Sequence, residues 1–224
     1  MLRVWQKRLL DNRPSVTYEF ATAGSHTQVL DAGRYDIWLV GAGGGGSLLR
    51  QTQTGTKHWA RGGVGGVLHV RVNVPVQTTI TITVGSGGAS HQGDFTSAGA
   101  IVSGDNGGNT TITGLLNATL IAGAGTGSNI RSTSTTACNR TVGVQGTNTA
   151  SGSNVVAILE NNVNTIVSTQ GSSSGKQRRS DGQLNTNWAE NTQKGLGGDI
   201  GWLTATVFVN RAGGIGFVRI KTSE

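Results

Sequence analysis

Cysteine, proline, charge and long apolar runs are all scarce in this 224-residue chain, and each scarcity removes a class of protein. Cys138 is the single cysteine, so neither an intramolecular disulfide nor a thiolate metal cluster can form within one chain. Stability must come from packing and hydrogen bonds. No stretch of about 18 apolar residues occurs, so no membrane span is expected. The opening residues interleave charge with apolar side chains and lack the apolar stretch and cleavage site of a secretory signal. An extracellular role would therefore call for a route that needs no signal peptide. Charged residues make up 13%, against about 25% in an ordinary soluble domain. That argues against a typical cytosolic enzyme and against a charge-driven disordered chain. The formal net charge is +7, but Arg3, Lys7, Arg8 and Arg13 concentrate basic residues at the start of the chain. The excess is thus a weak argument for nucleic acid, which is not expected as a partner.

Glycine is abundant instead, with 37 residues. It is clustered at 41–46, 62–66, 85–88, 123–125, 197–198 and 213–216, at the ends of apolar runs such as Ile37 to Val40 and Phe217 to Ile220. Glycine placed beside residues that must be buried uses its missing Cβ for positive φ or for close backbone approach, not for flexibility. Elsewhere a period of two dominates. Leu68, Val70, Val72 and Val74 alternate with polar residues, and so do Ile80, Ile82 and Val84. With Pro75 to Gln77 between them, residues 67 to 84 read as an antiparallel pair. Further strands are predicted at Val16 to Phe20, Tyr35 to Val40, Thr110 to Thr113, Ala118 to Ala122, Val155 to Leu159, Leu203 to Val209 and Phe217 to Lys221. Tyr35 to Val40 is apolar on both faces, which predicts cover above and below. Only the opening dozen residues, with Leu2, Trp5, Leu9 and Leu10, could share a helical face. The predicted class is all-β, a sandwich or jelly roll closed by its first and last strands.

Residues 47–61, 86–98, 125–153 and 168–194 have little core potential and read as long loops. Loops beyond about 12 to 15 residues are uncommon in compact domains unless functional or disordered, so four of them suggest a recognition surface. For 168–194 a plain glycine and serine linker is the competing reading.

Asp36 to Ser47 contains Gly-x-Gly-x-x-Gly after a strand, as in a nucleotide-binding turn. That mechanism needs a following helix and an acidic residue about 20 positions on. Residues 48–61 carry no helical pattern, and no carboxylate lies between Asp36 and Asp94. No cofactor is expected. His26, His58, His69 and His91 are scattered without metal-site spacing; His69 reads as an outward strand residue and His58 as a loop residue. No carboxylate pair is signalled for glycan cleavage, although two could meet in space. The chain reads as a non-enzyme.

The order strand, Gly-Ala-Gly-Gly-Gly-Gly46, polar loop, Gly-Gly-Val-Gly-Gly66, alternating strands ending Thr-Val-Gly-Ser-Gly-Gly88, further polar loops and terminal Gly-Gly-Ile-Gly-Phe-Val-Arg-Ile220 resembles the glycine-rich domains at the tips of bacteriophage tail fibres. It is similar in style to the T-even long-tail-fibre adhesin and to the glycine-rich module of some animal receptor ectodomains. The resemblance spans residues 16 to 222. It implies a β-sandwich joined to short polyglycine II threads, with three residues per turn, and long loops displayed at one edge against the host surface. On that footing residues 16–224 form the domain and 1–15 a docking segment, in which Leu2, Val4, Trp5, Leu9 and Leu10 meet a fibre or capsid protein. The implied function is non-enzymatic binding to a polysaccharide or outer-membrane protein of a bacterial surface, from an exposed position on a virion. Trp59, Trp188 and Phe95 are the candidate aromatic anchors. Arg50, Lys57, Arg61, Lys176, Arg178 and Arg179 would hold phosphates or acidic sugars, and His58 joins them among the receptor-binding residues. For the tryptophans, packing that pins a loop competes with exposure; for 176–179, a solvated charge cluster does. The alternative function is a structural virion component, a capsid decoration or fibre cap. Three long loops would suit a homotrimer, and adhesins of the resembling type also work singly.

Overall fold

Alternating apolar residues create two five-stranded sheets that face each other. The structure, a computed structural model, describes residues 15–141, 143–162, 171–172, 200–204, 207–210 and 212–223. One sheet holds β1 (Thr17–Phe20), β19 (Phe217–Thr222), β3 (Gly33–Val40), β6 (Val67–Val74) and β15 (Val155–Asn162), in that order. The second holds β14 (Thr149–Gly152), β11 (Ala118–Ala122), β10 (Thr110–Thr113), β7 (Thr78–Val84) and β2 (Gly24–Leu30). Every neighbouring pair in both is antiparallel. Ile37, Leu39, Leu68, Val70 and Val72 from one sheet pack on Ile80, Ile82, Ile112 and Leu120 from the other. This all-β sandwich is the predicted class, and its first and last strands pair as expected, Thr17 opposite Lys221. Among the described residues no helix forms; the opening dozen lie outside them. Leu68→Ala, at a fully buried position, is expected to cost about 2–5 kcal/mol in denaturant unfolding.

Several expectations are corrected. Residues 67–84 are not a hairpin: β6 and β7 lie in opposite sheets, because their apolar faces bury each other across the core instead of pairing side by side. β3 is not apolar on both sides. Ile37 and Leu39 are buried, whereas Trp38 is half-buried on the outer face, stacked on His69 with ring centroids 4.3 Å apart. The single strand predicted at Leu203 to Val209 is two, β17 (Ile200–Thr204) and β18 (Val207–Asn210), paired with each other.

Three of the four segments taken for loops carry strands, and of 168–194 only residues 171–172 are described. Residues 47–61 hold β4 (Ser47–Gln51) and β5 (Lys57–Ala60), 86–98 hold β8 (His91–Phe95), and 125–153 hold β12 (Asn129–Ser132), β13 (Cys138–Thr141) and β14. With β9 (Ile101–Ser103) and β16 (Gly171–Ser172) they form a distal pair of sheets, β16-β5-β4-β8 and β13-β12-β9. Leu49, Ala60, Phe95 and Ile130 make a small second core between them.

Glycine threads join the two sandwiches. Residues 41–46 carry the chain from β3 to β4 and 61–66 bring it back from β5 to β6. Residues 85–90 and 104–109 serve β7, β8, β9 and β10 in the same way, as 123–128 and 143–148 do for β11 to β14, and 212–216 lead into β19. Six residues at about 3.1 Å each span about 19 Å.

Thread 41–46 lies in the middle. Its N–H groups turn to a different neighbour at each residue and return every third one. Gly41 and Gly44 donate to Gly66 and Gly63 (2.9 and 2.8 Å), Ala42 and Gly45 to Gly108 and Asp105 (3.1 and 2.8 Å), and Gly43 to Gly214 (2.8 Å). Its carbonyls accept from two more threads: Ala42 and Gly45 from Gly125 and Ser128, Gly43 and Gly46 from Gly88 and His91. No thread glycine has positive φ, and the return to the same neighbour every third residue is the repeat of a polyproline II helix. The array answers the backbone-pairing requirement without a sheet.

The array is more extensive than counting glycine runs predicts. Thread 143–148 contains only two glycines, because glycine is needed only where a Cβ would point at a neighbour. On the rim, asparagines replace a missing thread. Asn109 Oδ1 accepts from Ala124 N–H (2.8 Å) and Asn106 Oδ1 from Gly127 N–H (2.9 Å), three residues apart on both sides. The glycine pair 197–198 and the docking residues Leu2, Val4, Trp5, Leu9 and Leu10 lie outside the described residues.

Candidate functional site

The far end of the distal sandwich gathers three short loops: 52–56 between β4 and β5, 96–100 between β8 and β9, and 133–137 between β12 and β13. Each is the turning point of an out-and-back excursion through the thread array, so together they form the end of the described molecule opposite the main core. Their composition is uniform. Thr52, Gln53, Thr54 and Thr56, Thr96 and Ser97, and Thr133, Ser134, Thr135 and Thr136 are joined only by Gly and Ala; none is charged or aromatic.

Buried polar side chains beneath the loops fix them. Gln51 points inward from β4 and is buried. Its amide nitrogen donates to the Thr135 carbonyl and its amide oxygen accepts from the Thr54 hydroxyl. One side chain thus ties loop 52–56 to loop 133–137. The first of these also closes on itself, with Gly55 N–H donating to the Gln51 carbonyl at 2.9 Å and Gly55 at φ 69°, a left-handed value that suits glycine. Ser132, buried on β12, holds the third loop: its hydroxyl donates to Ser97 O (2.9 Å) and accepts from Ala100 N–H (2.9 Å). Lower down, the Ser47 and Ser128 hydroxyls meet at 2.8 Å, and Ser128 also donates to Ala60 O at 3.0 Å. A buried polar group whose partners are all met rigidifies its surroundings, because in a low dielectric every alternative arrangement leaves it unpaired.

The predicted anchors sit elsewhere. Trp59 and Phe95 are 3% exposed and His58 is 6% exposed, on β5 and β8 and not on loops. His58 faces the distal core, where its ring lies 5.8 Å from that of Phe95; Trp59 packs with Leu48 on the opposite face of the sheet. Lys57 shares that outer face with Arg50, whose guanidinium makes a bidentate pair with Asp94 (2.8 Å to each oxygen). The pair holds Asp94 below the ordinary carboxylate range, while burial and the Arg50 charge lower the Lys57 ammonium. Arg61 opens thread 61–66 and its carbonyl accepts from Gly143 N–H at 2.8 Å. Lys57 and Trp59 are therefore brought together on one face, apart from the inward His58 and Phe95, and none of them is in the loop cluster. Lys176, Arg178, Arg179 and Trp188 lie outside the described residues. Cys138 is half-buried against the distal core, and burial raises its thiol. Among the described residues no cluster of three or more His, Cys, Asp or Glu is placed to hold a metal ion.

Gln51, Ser132, Ser128 and the loop threonines escape a sequence reading that looks for charged or aromatic anchors. Their signal is a polar residue at an inward position of an alternating strand, visible only once the strands are placed.

A family model described as a glycine-rich domain matches residues 21–223. No curated protein matches the chain.

Proposed function

From the premise that the chain belongs to the glycine-rich domain family, we propose that it is a receptor-binding tip of a bacteriophage tail fibre, and that loops 52–56, 96–100 and 133–137 contact the bacterial surface. The observation that carries this reading is the placement of three neutral, hydroxyl-rich loops on one end, locked from below by Gln51 and Ser132. The rod-like thread array beneath gives them a stiff mount, so little ordering is lost on contact. The resemblance of the glycine and strand order to phage fibre tips supplies the biological setting. The surface receptor is a polysaccharide or outer-membrane protein, reached through hydroxyl, amide and methyl groups.

A neutral contact surface has a measurable consequence. Exposed charge pairs are screened by salt, with a Debye length of about 10 Å at 0.1 M. Binding of the purified protein to intact host bacteria is expected to change less than about threefold between 0.05 and 0.5 M NaCl. Soluble protein should also block infection, and exchanging 133–137 for a glycine-serine stretch should remove the block. A steep loss of binding with salt would move the contact to the basic residues. Failure to block at any concentration would favour the structural virion component.

A further inference from the structure

His58 is a buried side chain with no hydrogen bond, at the centre of the unit that carries the three loops. Among the described residues neither Nδ1 nor Nε2 has a partner, although the residue is only 6% exposed. Polar groups so placed are uncommon in native structures, and each calls for a reason. A phenyl or leucyl side chain would fill the same space without leaving two nitrogens unpaired. What histidine adds is a proton-dependent charge.

We propose that His58 makes the distal sandwich an acid-labile unit, so that the loop cluster loosens at mildly acid pH while the main sandwich stays folded. The proposal rests on the loop cluster being the contact surface only for its consequence in binding; the acid response of the distal sandwich stands by itself.

Among the described residues, the surroundings of His58 offer no compensation for a positive charge. β4 presents Leu49 directly opposite it, flanked by the neutral Ser47 and Gln51. β8 presents the Phe95 ring; His91 lies at the thread end of that strand, 3.1 Å from Asp105. β12 contributes Ile130 and Ser132, and β13 contributes Cys138 and Arg140 on the same inward face. The neighbouring backbone of β16 belongs to Gly171 and Ser172, which carry no charge. The carboxylate of Asp94, with Arg50 and Lys57, is on the other side of the sheet. Burial, and then the Arg140 charge, accordingly hold His58 below its ordinary value. Since the folded form binds the proton more weakly than the open form, stability is complete above the open-form pKa of about 6.5 and falls as pH drops below it. An imidazole that stays neutral down to pH 5.0 raises the opening constant by up to about 30-fold.

His69 in the main sandwich also has one unpaired nitrogen, Nε2, among the described residues and is likewise lowered, chiefly by burial, but it is only half-buried and the Asp36 carboxylate offsets part of the effect. It supplies the internal control, because it is stacked on Trp38 and sits across the thread array from the loops.

Hydrogen exchange of the full chain at pH 7.5 and 5.0, corrected for intrinsic rates, tests this. Exchange in β4, β5, β12 and β13 should rise at pH 5.0, by up to about 30-fold; His58→Leu should remove that rise, and His69→Leu should leave it in place. An equal rise in His58→Leu overturns the proposal. Should His58→Leu not fold, NMR titration of the wild-type imidazole decides alone: a midpoint at or above about 6.5 overturns it. Binding to host bacteria at pH 5.0 separates the two readings. Loss in wild type with retention in His58→Leu supports both, whereas unchanged binding despite the exchange rise supports acid lability and removes the loops as the contact.

Discussion

Gly45→Ala will be among the most destabilising single substitutions in this protein and will sharply lower its unfolding transition. A Cβ built at Gly45 stands 1.8 Å from the carbonyl oxygen of Ala89 and 2.4 Å from its carbon, both backbone atoms of a neighbouring thread. Nothing flexible can move aside. Thread 85–90 is itself bonded to 104–109 and 212–216, through Asp105 N–H to Ala89 O at 2.9 Å and Gly213 N–H to Gly88 O at 2.8 Å. Displacing it therefore breaks bonds on two further threads. The expected loss exceeds about 4–5 kcal/mol, the range reached only by the most disruptive single substitutions and a large part of a typical total of about 5–15 kcal/mol. Thr147→Ala, at an exposed thread position, should change stability by no more than about 0.5 kcal/mol. Calorimetry of the two variants beside wild type checks the contrast. A normal transition for Gly45→Ala would mean that the threads are not packed as described.

Gln51→Ala will uncouple binding from folding. The substitution removes both the donor to Thr135 O and the acceptor for the Thr54 hydroxyl and leaves the Thr135 carbonyl without that partner. The local penalty is about 1–3 kcal/mol, confined to the distal sandwich, whose core is separate from the main one. Two of the three loops then have to be ordered on contact, at about 0.5–1.5 kcal/mol for each immobilised side chain. A few such side chains amount to a 10- to 100-fold loss of affinity for host bacteria. The main transition should stay within a few degrees of wild type. Wild-type affinity in this variant would show that the loops are not the contact or that Gln51 does not position them.

The residues that betray themselves in the sequence are those whose role is local. Strand alternation at 68–74 and 80–84 names the inward side chains correctly, since period two and burial are linked within one strand. The same alternation is silent on which strand lies alongside, and β6 and β7 turned out to face each other across the core. The run 41–46 announces a place where backbones touch, and it became the central thread because it carries the least side chain. Thread 143–148 gives no such notice: its Gln145, Thr147 and Asn148 face outward or bond to neighbours, so it needs glycine only at Gly143 and Gly146. Trp59 and Phe95 look like loop anchors when 47–61 and 86–98 are read as loops. Once β4 pairs with β5 and β8, their burial follows.

By itself the sequence determined the all-β class, the inward faces of the main sandwich and the glycine contacts, because each of these depends on neighbours within a few residues. The tertiary structure alone decided the sheet partners, the threefold array, the second core and the assembly of Gln51, Ser132 and the threonine loops. The bonds of Ser132 to Ser97 and of Gln51 to Thr135 join residues 35 and 84 positions apart, and no local pattern records which distant backbone will come to lie beside a given N–H.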